Sequence, residues 1–598
     1  MKVSSTGPQV SPADPQETER ADSDLMQYES HWDGFTSAAT VERPEQSNMH
    51  PGALAALREP SAVDWPRRMP RELLEAPIAP QPADASRSST RPELTPDVRT
   101  RVPVARGELD THVYLSDADE VHGTLLIRTP YLALDPYGYI VTDWLERDFN
   151  VVVQSIIGTG ESSGDFEYLS TEEIDDAAAT LGWLSTQPFS NGAVVLYGES
   201  YDGFLALAGG LTRHPSVSAV VAASAPTDPR QDSFTSGGMV EYALLKYYLD
   251  LSSSQRMSTR DFESRVTDLF ERDVPLEDYD DSFRAGGIDD WDQLVQESLN
   301  LEFVERGVYD RLGEIEVPVL LMAGEHRDQD ATDAIHAFRE RQRNHDDSGH
   351  SCPTRLAVGS WLHGNQIALS QGVASQFVDA VLANRLQCEF PHQVDYVADH
   401  EAPIRVGSEL DPEIFSRFST SIGREGLEFG VGYDADSVDA NGGILLPRIS
   451  EPWTHVSPGL ERPFIRIPIE ENMRLAGPVR ARISLLGQTN AATGVSMEIL
   501  VGRAAGGWSS LDESYNMYRT RRLVREERGE IVEVELQSPY LSLDLNAGDE
   551  LVLSFQRSHD AITANRDESQ DIMWLLNDDH HLDVNFLFGP AGDMNRSE

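Results

Sequence analysis

Three short stretches carry residues that could do nucleophilic chemistry together. The first is Gly198-Glu199-Ser200-Tyr201-Asp202-Gly203. It follows the apolar run Ala193 to Leu196 and precedes Phe204 to Ala208, so a serine stands between a buried strand and a small-residue helix. Gly198 and Gly203 bracket that serine, and glycine tolerates the steep backbone angles of a strand-to-helix reversal. A serine held there presents its hydroxyl to an open crevice, with helix amides behind it to stabilise an oxyanion. This is the logic of a nucleophile elbow. The strict pattern G-x-S-x-G is not met, because Asp202 stands at the second glycine and Gly203 comes one residue later. The plainer reading is an ordinary β-turn-α junction with a capping serine.

A serine nucleophile needs a base and a group that orients the base. Two later loops follow apolar strands. They are Ala323-Gly324-Glu325-His326-Arg327-Asp328-Gln329-Asp330 and Gly359-Ser360-Trp361-Leu362-His363-Gly364-Asn365. In an open α/β sheet both fall at the C-terminal strand edge, beside Ser200. His363, bracketed by Gly359 and Gly364, is the better base. His326 precedes the expected acid, for which Asp328 is preferred and Asp330 is the alternative. The chain order serine, acid, histidine is that of an α/β-hydrolase triad.

The elements that must position these loops are legible from about residue 98. Leu109 to Leu115, Gly123 to Arg128, Asn150 to Ile156 and Ser218 to Ala223 read as strands, and Tyr139 to Glu146 and Thr171 to Leu184 as helices. Strands alternating with helices indicate a doubly wound α/β sheet. The alternation breaks between roughly 226 and 311, where Met239 to Leu251, Thr259 to Glu271 and Asp290 to Gln296 read as helices. It resumes at Val317 to Met322 and Thr354 to Val358. An all-helical insertion before the last strands is placed to act as a lid over the crevice. After about 388, short β-rich runs separated by turn signals predict a β-sandwich of jelly-roll type. Residues 1–97, rich in Pro, Ser, Asp and Glu, read as a disordered extension, with short helices allowed at Gly52 to Arg58 and Pro70 to Leu74. The expected domains are therefore 1–97, a sheet domain at 98–225 and 312–387, a helical cap at 226–311, and the sandwich at 388–598.

Composition narrows the partners. Among 598 residues, 100 acidic groups face 48 basic ones, for a formal net charge of −52. Only Lys2 and Lys246 are lysines. Such a charge argues against nucleic acid or anionic membrane as a partner and suits a salt-rich, halophilic cytoplasm, the plainer alternative being a high-GC genome with an acidic bias. The two cysteines, Cys352 and Cys388, give no disulfide framework, and metal-ligand spacings are absent, so no metal or cofactor is expected. With no basic-apolar signal sequence and no apolar run of spanning length, the expectation is a soluble cytoplasmic protein.

Several stretches, taken in order, resemble one known family. Arg128-Thr129-Pro130-Tyr131 is similar to its R-x-P-Y, and Gly158 to Phe166 matches part of its R-G-x-x-x-S-x-G-x-F loop. Gly198 to Gly203 matches G-x-S-Y-x-G, and Gly359 to His363 matches G-x-W-x-H. The chain from about 100 to 590 thus resembles the cocaine-esterase-like and X-Pro dipeptidyl-peptidase hydrolases, which include α-amino acid ester hydrolases and glutaryl acylases. The resemblance implies an α/β-hydrolase domain, a helical cap inserted before the acid strand, and a C-terminal jelly roll. It implies Ser200 as nucleophile, His363 as base, and an oxyanion hole made by the Tyr131 hydroxyl and the Tyr201 backbone N–H. Two departures stand out. Arg327 occupies the family's acid offset, with Asp328 one residue later, and the family's Q-D-x-R-G reads Gln154-Ser155-Ile156-Ile157-Gly158.

The expected function is a serine acyl hydrolase that acts on a small ester, amide or short peptide through an acyl-enzyme on Ser200. X-Pro dipeptidyl-peptidase action is included in that class. The rival, from another class, is a catalytically weak hydrolase-fold binding protein that uses its jelly roll.

Overall fold

The computed structural model describes residues 94–383 apart from short segments, among them 133–136, 325–330 and 360–365. Beyond 392 it describes strands and some of the turns that join them. The possible helices at 52–58 and 70–74, and nearly all of the extension, lie outside the described residues.

In chain order the first half contains β1 (Val98–Val104), β2 (Gly107–Tyr114), β3 (Gly123–Thr129), α1 (Gly138–Leu145), β4 (Phe149–Ser155) and α2 (Glu173–Ser185). There follow β5 (Val194–Glu199), α3 (Tyr201–Leu211), β6 (Val217–Ala223), β7 (Val240–Glu241), α4 (Tyr242–Leu251), α5 (Thr259–Glu271) and α6 (Trp291–Asn300). The sheet then resumes with β8 (Val319–Gly324), α7 (Ala331–Ser348), β9 (Thr354–Gly359), α8 (Gln366–Leu382), β10 (Gln393–Tyr396) and β11 (Ile404–Val406).

Ten strands form one sheet in the order β1-β2-β4-β3-β5-β6-β8-β9-β10-β11. Its middle, from β4 to β10, is parallel, and antiparallel pairs close both ends. Every residue of β3 and β4 is buried, as expected of central strands covered by helices on both faces. The run Val151-Val152-Val153 suits that setting, because β-branched side chains pack well on a pleated surface. Helix α3 is buried along its whole length against this sheet. The sheet also passes the expected boundary near 388, since β10 pairs with β9 and β11 with β10. A strand joins whichever edge it can pair with, and its local sequence does not name that edge.

Two further antiparallel sheets, of eight and six strands, occupy the C-terminal part. Ile483 and Val584 of one sheet share a single apolar core with Ile499 and Leu553 of the other, so the sheets pack face to face. Trp574 and Phe555 meet across that core with ring centroids 4.8 Å apart. One segment of this part, Thr563–Ala564, pairs antiparallel with β7 of the helical insertion. The absence of a disulfide framework needs one correction. Buried Cys352 is disulfide-bonded, while Cys388 lies outside the described residues.

Candidate active site

Ser200 stands between β5 and α3 with φ 59° and ψ −130°. A non-glycine residue there costs on the order of 1–3 kcal/mol and persists only where its surroundings over-determine it. They do so here. The Ser200 amide donates to the Ala223 carbonyl of β6 at 2.8 Å, and its own carbonyl accepts from Gly203 and Phe204 at 2.9 and 3.2 Å. Ser200 itself is only half-buried.

The two flanking glycines have separate reasons. A Cβ on Gly198 would lie 2.2 Å from the carbonyl carbon and oxygen of Asp202. A Cβ on Gly203 would lie 2.9 Å from the Cβ of Ala225. Gly198 lets strand and helix close on the turn, and Gly203 lets α3 approach β6. Gly203 thus supplies the close approach that the shifted motif required, and Asp202 is free to do something else.

Asp202 is buried beneath the turn and anchors it to the next loop. Its Oδ2 accepts from the Tyr137 hydroxyl at 2.5 Å. Tyr137 in turn is hydrogen-bonded to the Thr129 hydroxyl, whose oxygen accepts from the Tyr131 amide at 2.9 Å. Burial pushes the Asp202 carboxyl well above the usual carboxylate range, with the Glu199 charge adding to that, although the Tyr137 and Thr129 hydrogen bonds oppose it. A chain of short bonds therefore joins the residue two after Ser200 to the backbone of Tyr131.

Tyr131 follows β3 and is 4 % exposed. Its hydroxyl accepts a hydrogen bond from Tyr247 of α4 at 3.2 Å. The Tyr247 ring also lies 6.2 Å from that of Tyr201, so Tyr131 and Tyr201 converge on one side chain of the insertion. The Tyr201 amide opens α3, where helix N–H groups have no intrahelical acceptor. Its hydroxyl is used elsewhere, accepting from the Leu169 amide at 2.8 Å and donating to the Glu167 carbonyl at 3.2 Å. Phe166, Tyr168, Phe234 and Tyr248 complete an aromatic wall around these rings.

An ion-pair cluster within the insertion reaches the sheet domain through hydrogen bonds to the Tyr168 backbone. Arg306, nearly fully buried, pairs with both Asp290 and Glu297. It also donates to the Tyr168 carbonyl at 2.8 Å. Asp290 accepts in addition from the Tyr248 hydroxyl at 2.6 Å. Burial works against the Arg306 charge, but these carboxylates outweigh it and hold the guanidinium pKa above its ordinary value. On the other side, Arg128 pairs with Glu173 of α2 at 2.7 Å and donates to Gln154 at 3.1 Å. Arg128 of the R-T-P-Y stretch thus ties β3 to β4 and α2, and Gln154 is held in a buried network.

Of the residues singled out from the sequence, Tyr131 and Tyr201 converge on Tyr247, and Ser200 directly precedes Tyr201. His363, His326, Asp328 and Asp330 lie outside the described residues. The strands that lead to them are described. Gly324 and Gly359 are register partners at the ends of β8 and β9, both parallel to β5, so both loops leave from the sheet edge that carries Ser200. Tyr137 and Tyr247 were not singled out, and Asp202 was noted as the residue that breaks the glycine motif, without its partner. No local pattern marks them, because each is defined by a partner far away in sequence.

With this geometry in view, comparison with known proteins is informative. The family model described as X-Pro dipeptidyl-peptidase (S15 family) matches residues 107–365, which include the Ser200 turn, the insertion and both later loops. Within residues 107–365 the chain is thus similar to that family. Cocaine esterase from Rhodococcus sp. (strain MB1 Bresler) is 27 % identical over 286 residues, 44 % of this chain. The match spans about half of that relative's length, 48 %. Among solved structures, an aminopeptidase from a marine sediment archaeon of the Thaumarchaeota superposes with a TM-score of 0.61 at 16 % identity, covering 84 % of this chain and 99 % of its own. An α-amino acid ester hydrolase superposes with a TM-score of 0.57 at 13 % identity, covering 86 % of this chain and 100 % of its own. At such identities the superpositions speak for fold: an α/β-hydrolase sheet followed by antiparallel sheets. No helix among the described residues is long and apolar enough to cross a membrane.

Proposed function

We propose that this protein is a serine acyl hydrolase of the S15 type, acting on ester or amide bonds of small molecules or short peptides. The observation that carries the reading is the backbone of Ser200, a non-glycine residue held at φ 59° between a central parallel strand and a helix N-terminus. Strain of that kind needs a reason, and presenting a nucleophile is a sufficient one.

In this reading the Ser200 oxygen attacks the carbonyl carbon and its proton passes to His363. Asp328, in the loop after β8, holds the imidazole in the correct tautomer, and Asp330 is the alternative holder. The negative charge that builds on the carbonyl oxygen is met by the Tyr131 hydroxyl and the Tyr201 amide. One well-placed donor of this kind contributes about 3–4 kcal/mol of transition-state stabilisation. His363 then protonates the leaving alcohol or amine, which departs and leaves the acyl group on Ser200. Water activated by His363 attacks the acyl-enzyme and releases the acid. The reading asks no metal or organic cofactor of the enzyme. The C-terminal sandwich is taken as the jelly roll of the family, and 226–311 as its cap.

The names of similar proteins, an esterase, an aminopeptidase and an α-amino acid ester hydrolase, support an acyl substrate without choosing its leaving group. The test is direct. Purified protein is assayed on an activated acyl ester and on an X-Pro-linked chromogenic amide, beside Ser200→Ala. Turnover of either substrate that disappears in the variant, with fluorophosphonate labelling lost in parallel, is the expected result. Undiminished turnover by Ser200→Ala would sink the proposal. A native protein that neither turns over nor takes the label would favour the binding-protein rival.

A further inference from the structure

The contact between Tyr247 and Tyr131 assigns a role to a residue of the helical insertion. Tyr247 lies on α4 and is 4 % exposed. Its hydroxyl donates to that of Tyr131 at 3.2 Å, and the two rings meet edge to face at 6.0 Å. The Tyr247 ring is gripped by Phe166 and Phe234, at 5.8 and 5.6 Å, and rests against Tyr201 at 6.2 Å. The next residue, Tyr248, donates to Asp290, which Arg306 also holds, so the helix turn presenting Tyr247 is itself fastened.

A phenol has one proton and rotates it about its C–O bond at little cost. When one side of the Tyr131 oxygen accepts a hydrogen bond, its own proton must point away from that side. Accepting a bond also polarises the O–H and strengthens what it donates. We propose that Tyr247 is a positioning residue for acyl transfer: by donating to the Tyr131 hydroxyl it directs that hydroxyl's proton toward the oxyanion formed at Ser200. The inference rests on the reading of Ser200 and Tyr131 given above. Burial and the neighbouring tyrosines raise the Tyr247 pKa well above its ordinary value, so Tyr247 stays a proton donor throughout the working range. The insertion then does more than cover the crevice. It contributes to the oxyanion hole, because the donor that orients Tyr131 lies on α4.

The test is a double-mutant cycle. Wild type, Tyr131→Phe, Tyr247→Phe and the double variant are assayed on an activated acyl ester, with kcat expressed per fluorophosphonate-titrated site. Loss of folded protein then lowers the titre and leaves the turnover number intact. Tyr131→Phe should lose on the order of 100-fold in kcat. Tyr247→Phe should lose on the order of tenfold in kcat with KM within about threefold, and the double variant should be no slower than Tyr131→Phe alone. If Tyr247→Phe matches wild type, or if the two losses multiply, the proposal is overturned while the hydrolase reading stands. If Tyr131→Phe has no effect, the oxyanion assignment and this inference fall together. Loss of activity in Ser200→Ala separates that case from failure of the whole reading. Should Tyr247→Phe yield no titratable sites, Tyr247→Met, which also lacks the donor but fills the space with a flexible chain, takes its place in the same cycle.

Discussion

Adding one carbon at Gly198 should disable the site while leaving every reactive group in place. A Cβ there would stand 2.2 Å from the carbonyl carbon and oxygen of Asp202 and 2.6 Å from its Cβ, whereas ordinary contact begins at 3.4 Å. Two of the three atoms are backbone, in the first turn of α3, so no side-chain rotation relieves the clash. The turn must open by about 1.2 Å, and a misplacement of that size at reacting atoms costs on the order of 100-fold in rate. The same overpacking should destabilise the fold by about 1–3 kcal/mol. The assay is kcat on an activated acyl ester, together with the rate of fluorophosphonate labelling at Ser200, in Gly198→Ala. Gly182→Ala serves as control. Gly182 lies in α2, an added Cβ there meets nothing within 4 Å, and helix propensity alone should stabilise by about 0.5–1 kcal/mol with unchanged turnover. Gly198→Ala working within about threefold of wild type would refute the claim that this close approach positions the serine.

Two other perturbations probe the supports of the site. The folded-state pKa of Asp202 lies above its unfolded value, so the folded protein keeps a proton that the unfolded chain releases above about pH 4. Stability is therefore lost as pH rises through that window. Asp202→Asn should gain stability relative to wild type between about pH 4 and pH 7, seen as a difference in urea midpoints that grows with pH; a constant difference would contradict a neutral carboxyl. Arg306→Gln leaves Asp290 and Glu297 buried without their cation, which should cost on the order of 3–5 kcal/mol and expose 226–311 to limited proteolysis first. Uniform resistance of that segment would show that the ion-pair cluster does not fasten it.

Much of the framework was legible because buried parallel strands leave near-continuous apolar runs. The strands around Val151-Val152-Val153 and Val194-Val195-Leu196 announced themselves in that way. The helices of the insertion were legible too, Thr259–Glu271 to the residue. Strand β1 was not foreseen. It is an edge strand that is mostly exposed, and only Val102 is buried. Val98, Thr100, Val102 and Val104 do alternate with Arg99, Arg101 and Pro103, but a proline inside so short and exposed a run weakens it as a strand signal. The placement of β10 and β11 escaped as well, since the register Val394↔Leu356 is a choice made by a neighbouring strand's free edge.

For the candidate site the division is similar. Ser200 was legible because its surroundings are local: a strand, two glycines and a helix within a dozen residues. The same sequence reading treated Asp202 as an interruption of the motif. Its meaning comes from Tyr137, 65 residues earlier, whose hydroxyl it holds beneath the turn. Tyr247 meets Tyr131 across 116 residues, and Arg306 reaches the Tyr168 carbonyl across 138. The sequence by itself determined the residue types available to the proposed acyl transfer, their order along the chain and the alternation that brings loops to one sheet edge. Tertiary structure alone decided which side chains from the insertion touch them. Periodicity and turn chemistry report on neighbours a few residues apart, whereas those contacts depend on how a separate helical segment packs onto the sheet.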